Sequence, residues 1–95
     1  MAPVVLVEHP VQDYDAWKQM FDSDPIGRRE NGVERYTIYR SPEGDHLAVT
    51  LEFSSVARAA EFRAKLEERL RPVWDGLGAT GPVARVLEEV ERADV

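Results

Sequence analysis

Cysteine is absent from this 95-residue chain, which removes disulfides, thiolate metal sites and a thiol nucleophile at once. An excess of positive charge is missing too: 18 acidic residues stand against 12 basic ones, a net charge of −6. That balance disfavours a nucleic-acid partner, which needs a basic face, and an anionic membrane surface. No apolar run approaches the ~20 residues of a membrane span, and the start lacks the basic and then long apolar stretch of a secretory signal. A cytoplasmic protein with no membrane association is the expectation. The phosphate-cradling glycine loop, GxSxG, HExxH and CxxC are all missing, which argues against a nucleotide cofactor. The two histidines have no acidic or thiolate companion at ligand spacing, so no metal and no bound cofactor are expected.

What is present is an order of periodic segments. Two blocks each read strand, helix, strand: Val4–His9, Asp13–Asp24 and Val33–Arg40, then His46–Phe53, Ser55–Leu70 and Pro82–Val90. The first strand is a continuous β-branched run, the pattern of a strand buried on both faces. Asp13 is placed to cap the first helix, and Tyr14, Trp17 and Phe21 fall at i, i+3 and i+7 on one apolar stripe. Asp24-Pro25 ends that helix, because a residue before proline avoids the α region. Ser41–Asp45 is a turn cluster joining a hairpin. In the strand after it, Leu47, Val49, Leu51 and Phe53 alternate with His46, Ala48, Thr50 and Glu52; the first set is expected against the helices and the second on the open side. Pro72 is expected to kink or end the second helix.

One α+β domain over residues 1–95 accommodates this order. Right-handed crossovers and short connections give a ferredoxin-like βαββαβ fold, a four-stranded antiparallel sheet in the order 4-1-3-2 with both helices on one face. A single helical layer leaves the other sheet face open, and a second copy of the chain is its simplest cover.

Val11-x-Asp13-Tyr14-x-x-Trp17-Lys18-x-x-Phe21-Asp22 after an apolar first strand resembles the small dimeric α+β-barrel proteins of the antibiotic-biosynthesis-monooxygenase-like group. The Gly32-Val33 entry to the second strand and Leu51-Glu52-Phe53 before a capped helix carry the same likeness. The resemblance implies a homodimer in which two sheets face each other, and a pocket between sheet and helices. It also implies a small enzyme that works without a cofactor on an aromatic or polyketide-like molecule, as a monooxygenase or alternatively a polyketide cyclase, or else a non-catalytic small-molecule-binding module. The second helix contains no histidine, so the haem-ligating pattern of haem-degrading relatives is missing.

The topology gathers candidate residues at one end of the molecule. His9 is the candidate catalytic base, an imidazole that moves a proton near neutral pH. Tyr14, Trp17, Tyr39, Arg40, His46 and Trp74 are the candidate substrate-binding residues, supplying aromatic walls and a cation for a developing anion. Such a cleft suits proton abstraction from a phenol or 1,3-dicarbonyl. The competing structural readings are a hydrogen-bonded strand-end His9, an interfacial His46 and a Trp17 that is core. Arg28-Arg29 reads as a solvated basic patch that can still hold the anionic tail of a ligand. A drug-sized cavity, roughly 300 Å³ or more, between sheet and helices is the observation that the enzyme reading requires.

Overall fold

The computed structural model describes residues 2–76 and 83–95, and of these the side chains of residues 70 and 73–76 are left out of the description. The elements are β1 (Pro3–Pro10), α1 (Tyr14–Asp22), β2 (Arg35–Arg40), β3 (His46–Glu52), α2 (Val56–Gly76) and β4 (Val83–Glu88). The strands run β2-β3-β1-β4, which is the expected 4-1-3-2 order read from the other edge, and every pairing is antiparallel. The fold is therefore ferredoxin-like.

Register assigns each side chain to a face. Leu47, Val49 and Leu51 on β3 are buried against the helices, as their alternation demands, and β1 contributes Val5, Val7 and His9 to the same layer. Opposite them on β2 stand Tyr36, Ile38 and Arg40. Phe53 and Phe62 of α2 meet at a ring separation of 5.4 Å, both almost fully buried. Each such side chain contributes about 1.5–3 kcal/mol by leaving water. Within a single chain β1 is buried on one face: Val4, Leu6 and Glu8 alternate with its core residues and are half-exposed on the face away from the helices.

Local chemistry sets the boundaries. The Asp13 carboxylate accepts the Ala16 amide at 3.1 Å and caps α1, satisfying one of the free donors of its first turn. The helix stops at Asp22, two residues early, because Asp24 takes a left-handed φ of 54° before Pro25. The turn that follows is held by Asp24 Oδ1, which accepts the Arg28 amide at 2.8 Å. α2 continues to Gly76, past both its expected end and Pro72. Proline removes one amide donor but fixes a helical φ, and exposed Pro72 leaves the rest of the ladder to run on. β2 and β4 are shorter than their sequence patterns, starting at Arg35 and ending at Glu88.

The two helices sit differently on the sheet. α2 lies close against β1 and β4, whereas α1 makes no comparable backbone approach to any strand. Large side chains fill the interval beneath α1, and what they leave unfilled is the candidate site.

Candidate functional site

Helical spacing places Tyr14, Trp17 and Phe21 in a row under α1. Trp17 and Phe21 stack at 5.1 Å with an interplanar angle of 24°, and Tyr14 lies 6.0 Å from Trp17 on the other side. Tyr36 of β2 meets Phe21 edge-on at 5.0 Å and extends the row to the sheet edge. An arginine sits at each end. Arg40 lies 4.8 Å over Tyr14, and Arg28 lies 4.0 Å over Phe21 and 5.1 Å from Tyr36.

Beneath this row is a partly open apolar cavity of about 50 Å³, walled by residues that include Val7, His9, Trp17, Phe21, Phe62 and Arg28. Its volume is about a third of the ~150 Å³ cavity known to take up a benzene. It falls well short of the drug-sized space that the enzyme reading requires.

His9 is the one buried polar side chain among the described residues, 1% exposed, because it shares strand parity with Val5 and Val7. Its Nδ1–H donates to the Pro10 carbonyl at 2.8 Å. A carbonyl only accepts, so the proton of the neutral ring belongs on Nδ1 and the lone pair on Nε2. Burial pushes the imidazole below its ordinary pKa; the Pro10 bond opposes this, and the charge of His46 adds to it. His9 is thus neutral at neutral pH. Its ring lies 5.9 Å from Trp17. The Trp17 indole Nε1–H is buried with no hydrogen-bond partner among the described residues. A buried donor without an acceptor costs roughly 1–3 kcal/mol, which a ligand oxygen would recover.

The structure brings together some of the sequence candidates and separates others. His9 and Trp17 line the cavity, Tyr14 flanks Trp17, and Arg40 covers Tyr14. Tyr39 and His46 do not join them. Tyr39 pairs with Ala48 and His46 with Pro10, positions that place both side chains on the sheet face away from the helices. There His46 Nε2 lies 3.9 Å from Glu8 Oε1, and Tyr39 is 58% exposed. Strand alternation is the physical reason: convergence at one end of a sheet is not convergence on one face. The side chain of Trp74 lies outside the described residues. Sequence reasoning placed Arg28 in a solvated patch; its side chain is instead mostly buried at the cavity wall, where Nη1 donates to the Phe21 carbonyl at 2.6 Å. Ile26 and Met20 are further wall residues that it missed, Met20 being legible as a neighbour of the α1 stripe. No group of three His, Asp or Glu side chains among the described residues is arranged to hold a metal, and no described helix is long and apolar enough to cross a membrane.

No family model matches the chain, and no curated protein does. Solved structures do. A Deinococcus radiodurans protein provisionally described as an antibiotic biosynthesis monooxygenase superposes with a TM-score of 0.72 at 11% identity, over 98% of this chain and 97% of the other. A dimeric ferredoxin-like protein from an uncultured marine organism gives 0.66 at 13% identity, over 97% and 98%. The ActVA-Orf6 monooxygenase of Streptomyces coelicolor, solved with nanaomycin D, gives 0.61 at 19% identity, over 99% and 90%. Identities this low establish a shared fold, the one the sequence resemblance implies, and leave activity to be argued from the site.

Proposed function

We propose that the chain is a cofactor-independent oxygenase of a phenolic or enolisable aromatic, with His9 as its base. The observation that carries this reading is the neutral, buried imidazole in the wall of an apolar cavity, beside a buried indole N–H that lacks an acceptor among the described residues. His9 Nε2 takes the proton, and Trp17 Nε1–H offers a hydrogen bond to the oxyanion that develops. As it stands, at about 50 Å³, the cavity is too small for the aromatic, so this reading requires its wall to open before a ring reaches His9 and Trp17. For a dihydroxyanthrone the balance closes: the ring CH₂ loses two hydrogens and gains one oxygen atom of O₂ as a carbonyl, and the other oxygen leaves as water. The reading includes a homodimer formed through the open sheet face, in keeping with the dimeric neighbour. Two structure neighbours described as monooxygenases lend it support by analogy of fold.

The small cavity favours a second reading, a structural dimer of the same fold with no ligand site, and a non-catalytic binding module stands between the two. Oxygen uptake with dihydroxyanthrone distinguishes them. The first reading expects one O₂ consumed per anthrone and a drop of about 10²–10⁴-fold in His9→Ala. Unchanged turnover in that variant removes His9 as the base. Binding without uptake favours the module, and a ring-closed product from a linear polyketide mimic without uptake assigns a cyclase.

A further inference from the structure

A second space lies outside the cavity. It is an open groove of about 710 Å³ along the β2 edge, bordered by residues that include Asp24, Arg28, Arg29, Glu34, Arg35 and Tyr36. Arg28 and Asp24 are the two residues that border both spaces, so together they form the partition between them.

The guanidinium is the part of this partition that can leave without breaking the turn, because the turn is held through the Arg28 amide. Asp24 Oδ1 is tied to the Arg28 amide at 2.8 Å, a turn-forming bond. The Arg28 side chain is held by one donor on the Phe21 carbonyl at 2.6 Å, a 3.6 Å approach of Nε to Asp24, and two ring faces. A guanidinium carries five N–H donors, and those contacts occupy few of them. Rotating it outward would join the cavity to the groove and make room for an aromatic ring where neither space alone has both the walls and the volume.

We infer that Arg28 is a gate that selects for an acidic aromatic: the ring enters beneath the α1 aromatic row, and a carboxylate or equivalent anion stays in the groove on the displaced Arg28 guanidinium. The inference rests on the reading of the cavity as a ligand site. An anion is the group that compensates Arg28 for leaving the Phe21 carbonyl, by a bidentate, charge-assisted pair. The groove suits one. Arg29 is exposed there, and three guanidiniums face two carboxylates in a chain whose net charge is −6. One of those carboxylates, Asp24, is already engaged by Arg28, and Arg35 is paired with Glu52 at 3.1 Å. The displaced Arg28 is therefore the cation that receives the ligand.

Calorimetric titration of the full chain with β-naphthoate and with β-naphthol, matched in ring size and differing in charge at neutral pH, tests the gate. Wild type should bind naphthoate at least about tenfold more tightly, with the difference shrinking as salt rises. Arg28→Met, which keeps an apolar stem over Phe21, should bring naphthoate down to the level of naphthol; if it does not fold, Arg28→Gln replaces it. Equal binding of the two probes by wild type, a preference that survives at position 28, or no binding of either probe overturns the inference. The readout is separate from turnover. A chain that prefers naphthoate yet consumes no oxygen keeps the gate and removes the oxygenase reading, and turnover without the preference does the reverse.

Discussion

At the scale of single residues, His9 ties stability to pH. Burial holds its imidazole below the ordinary value of 6.5, so the unfolded chain binds the proton more readily than the folded one. The stability gained by keeping His9 neutral is complete above that value and is lost as pH falls through it towards the lowered folded pKa. Urea denaturation at about pH 7.5 and about pH 5.5 should therefore show a larger loss for wild type than for His9→Gln, which has nothing to titrate there. Equal losses would mean that the imidazole is hydrated in solution. The sequence marked His9 as a candidate base at a strand end, but not its burial, because the continuous apolar run of β1 hid the phase that His9 shares with Val5 and Val7. Trp17 was legible from the stripe on α1. Arg28 was not. Its place depends on a left-handed Asp24 that turns the chain back under α1, so that a residue seven positions after Phe21 lies over its ring. Neither helical nor strand periodicity carries that information.

At the scale of elements, the two helices divide the work between packing and binding. α2 presses Ala59, Phe62 and Leu66 onto the sheet, with Phe62 against Phe53. α1 stands off over the cavity, with Met20 half-buried at its wall. Truncation should cost accordingly. Phe62→Ala removes a ring from a close-packed layer and is expected to lose about 3–5 kcal/mol in urea unfolding. Met20 borders the same cavity as Phe62 but is only half-buried, so Met20→Ala loses fewer contacts and is expected to cost less than about 2 kcal/mol. A Met20→Ala loss matching that of Phe62→Ala would show α1 to be packed as tightly as α2. Element order and sheet topology were readable because periodicity switches cleanly between two and 3.6. Helix ends were less so: Asp24 shortens α1 and Pro72 fails to end α2, both local backbone outcomes that a pattern of apolar residues does not encode. The stand-off of α1 was equally unreadable, since it is set by the bulk of side chains meeting from two layers.

At the scale of the whole molecule, the helices leave one face of the sheet open. Its centre is apolar or small: Val4, Leu6, Ala48 and Thr50, all half-buried by their own neighbours. Val83, Leu87 and Tyr39 extend it, at 41%, 43% and 58% exposure. Arg85 of β4 stands beside Leu6 on this face, and the other polar groups lie towards the strand ends, where Arg35 meets Glu52 and His46 stands near Glu8. An apolar centre with a polar rim is the anatomy of a protein interface, and a face of this kind left in water is an aggregation hazard. A two-fold axis through it would place each face on its own copy, the self-complementary arrangement that closes a dimer. Leu6 is the position at which to test this, since it lies on a central strand and points away from the helices. Wild type at micromolar concentration should scatter light as twice the chain mass. Leu6→Lys should scatter as a single chain, because its ammonium would be buried unpaired against the copy while the helix-facing core stays untouched. The unfolding midpoint of wild type should then rise with protein concentration and that of Leu6→Lys should not, since only an associated state couples stability to concentration. A wild-type monomer at the same concentration would return the open face to solvent and remove the dimer from the proposed function, leaving the cavity and its gate, which lie on the other side of the sheet, as they stand.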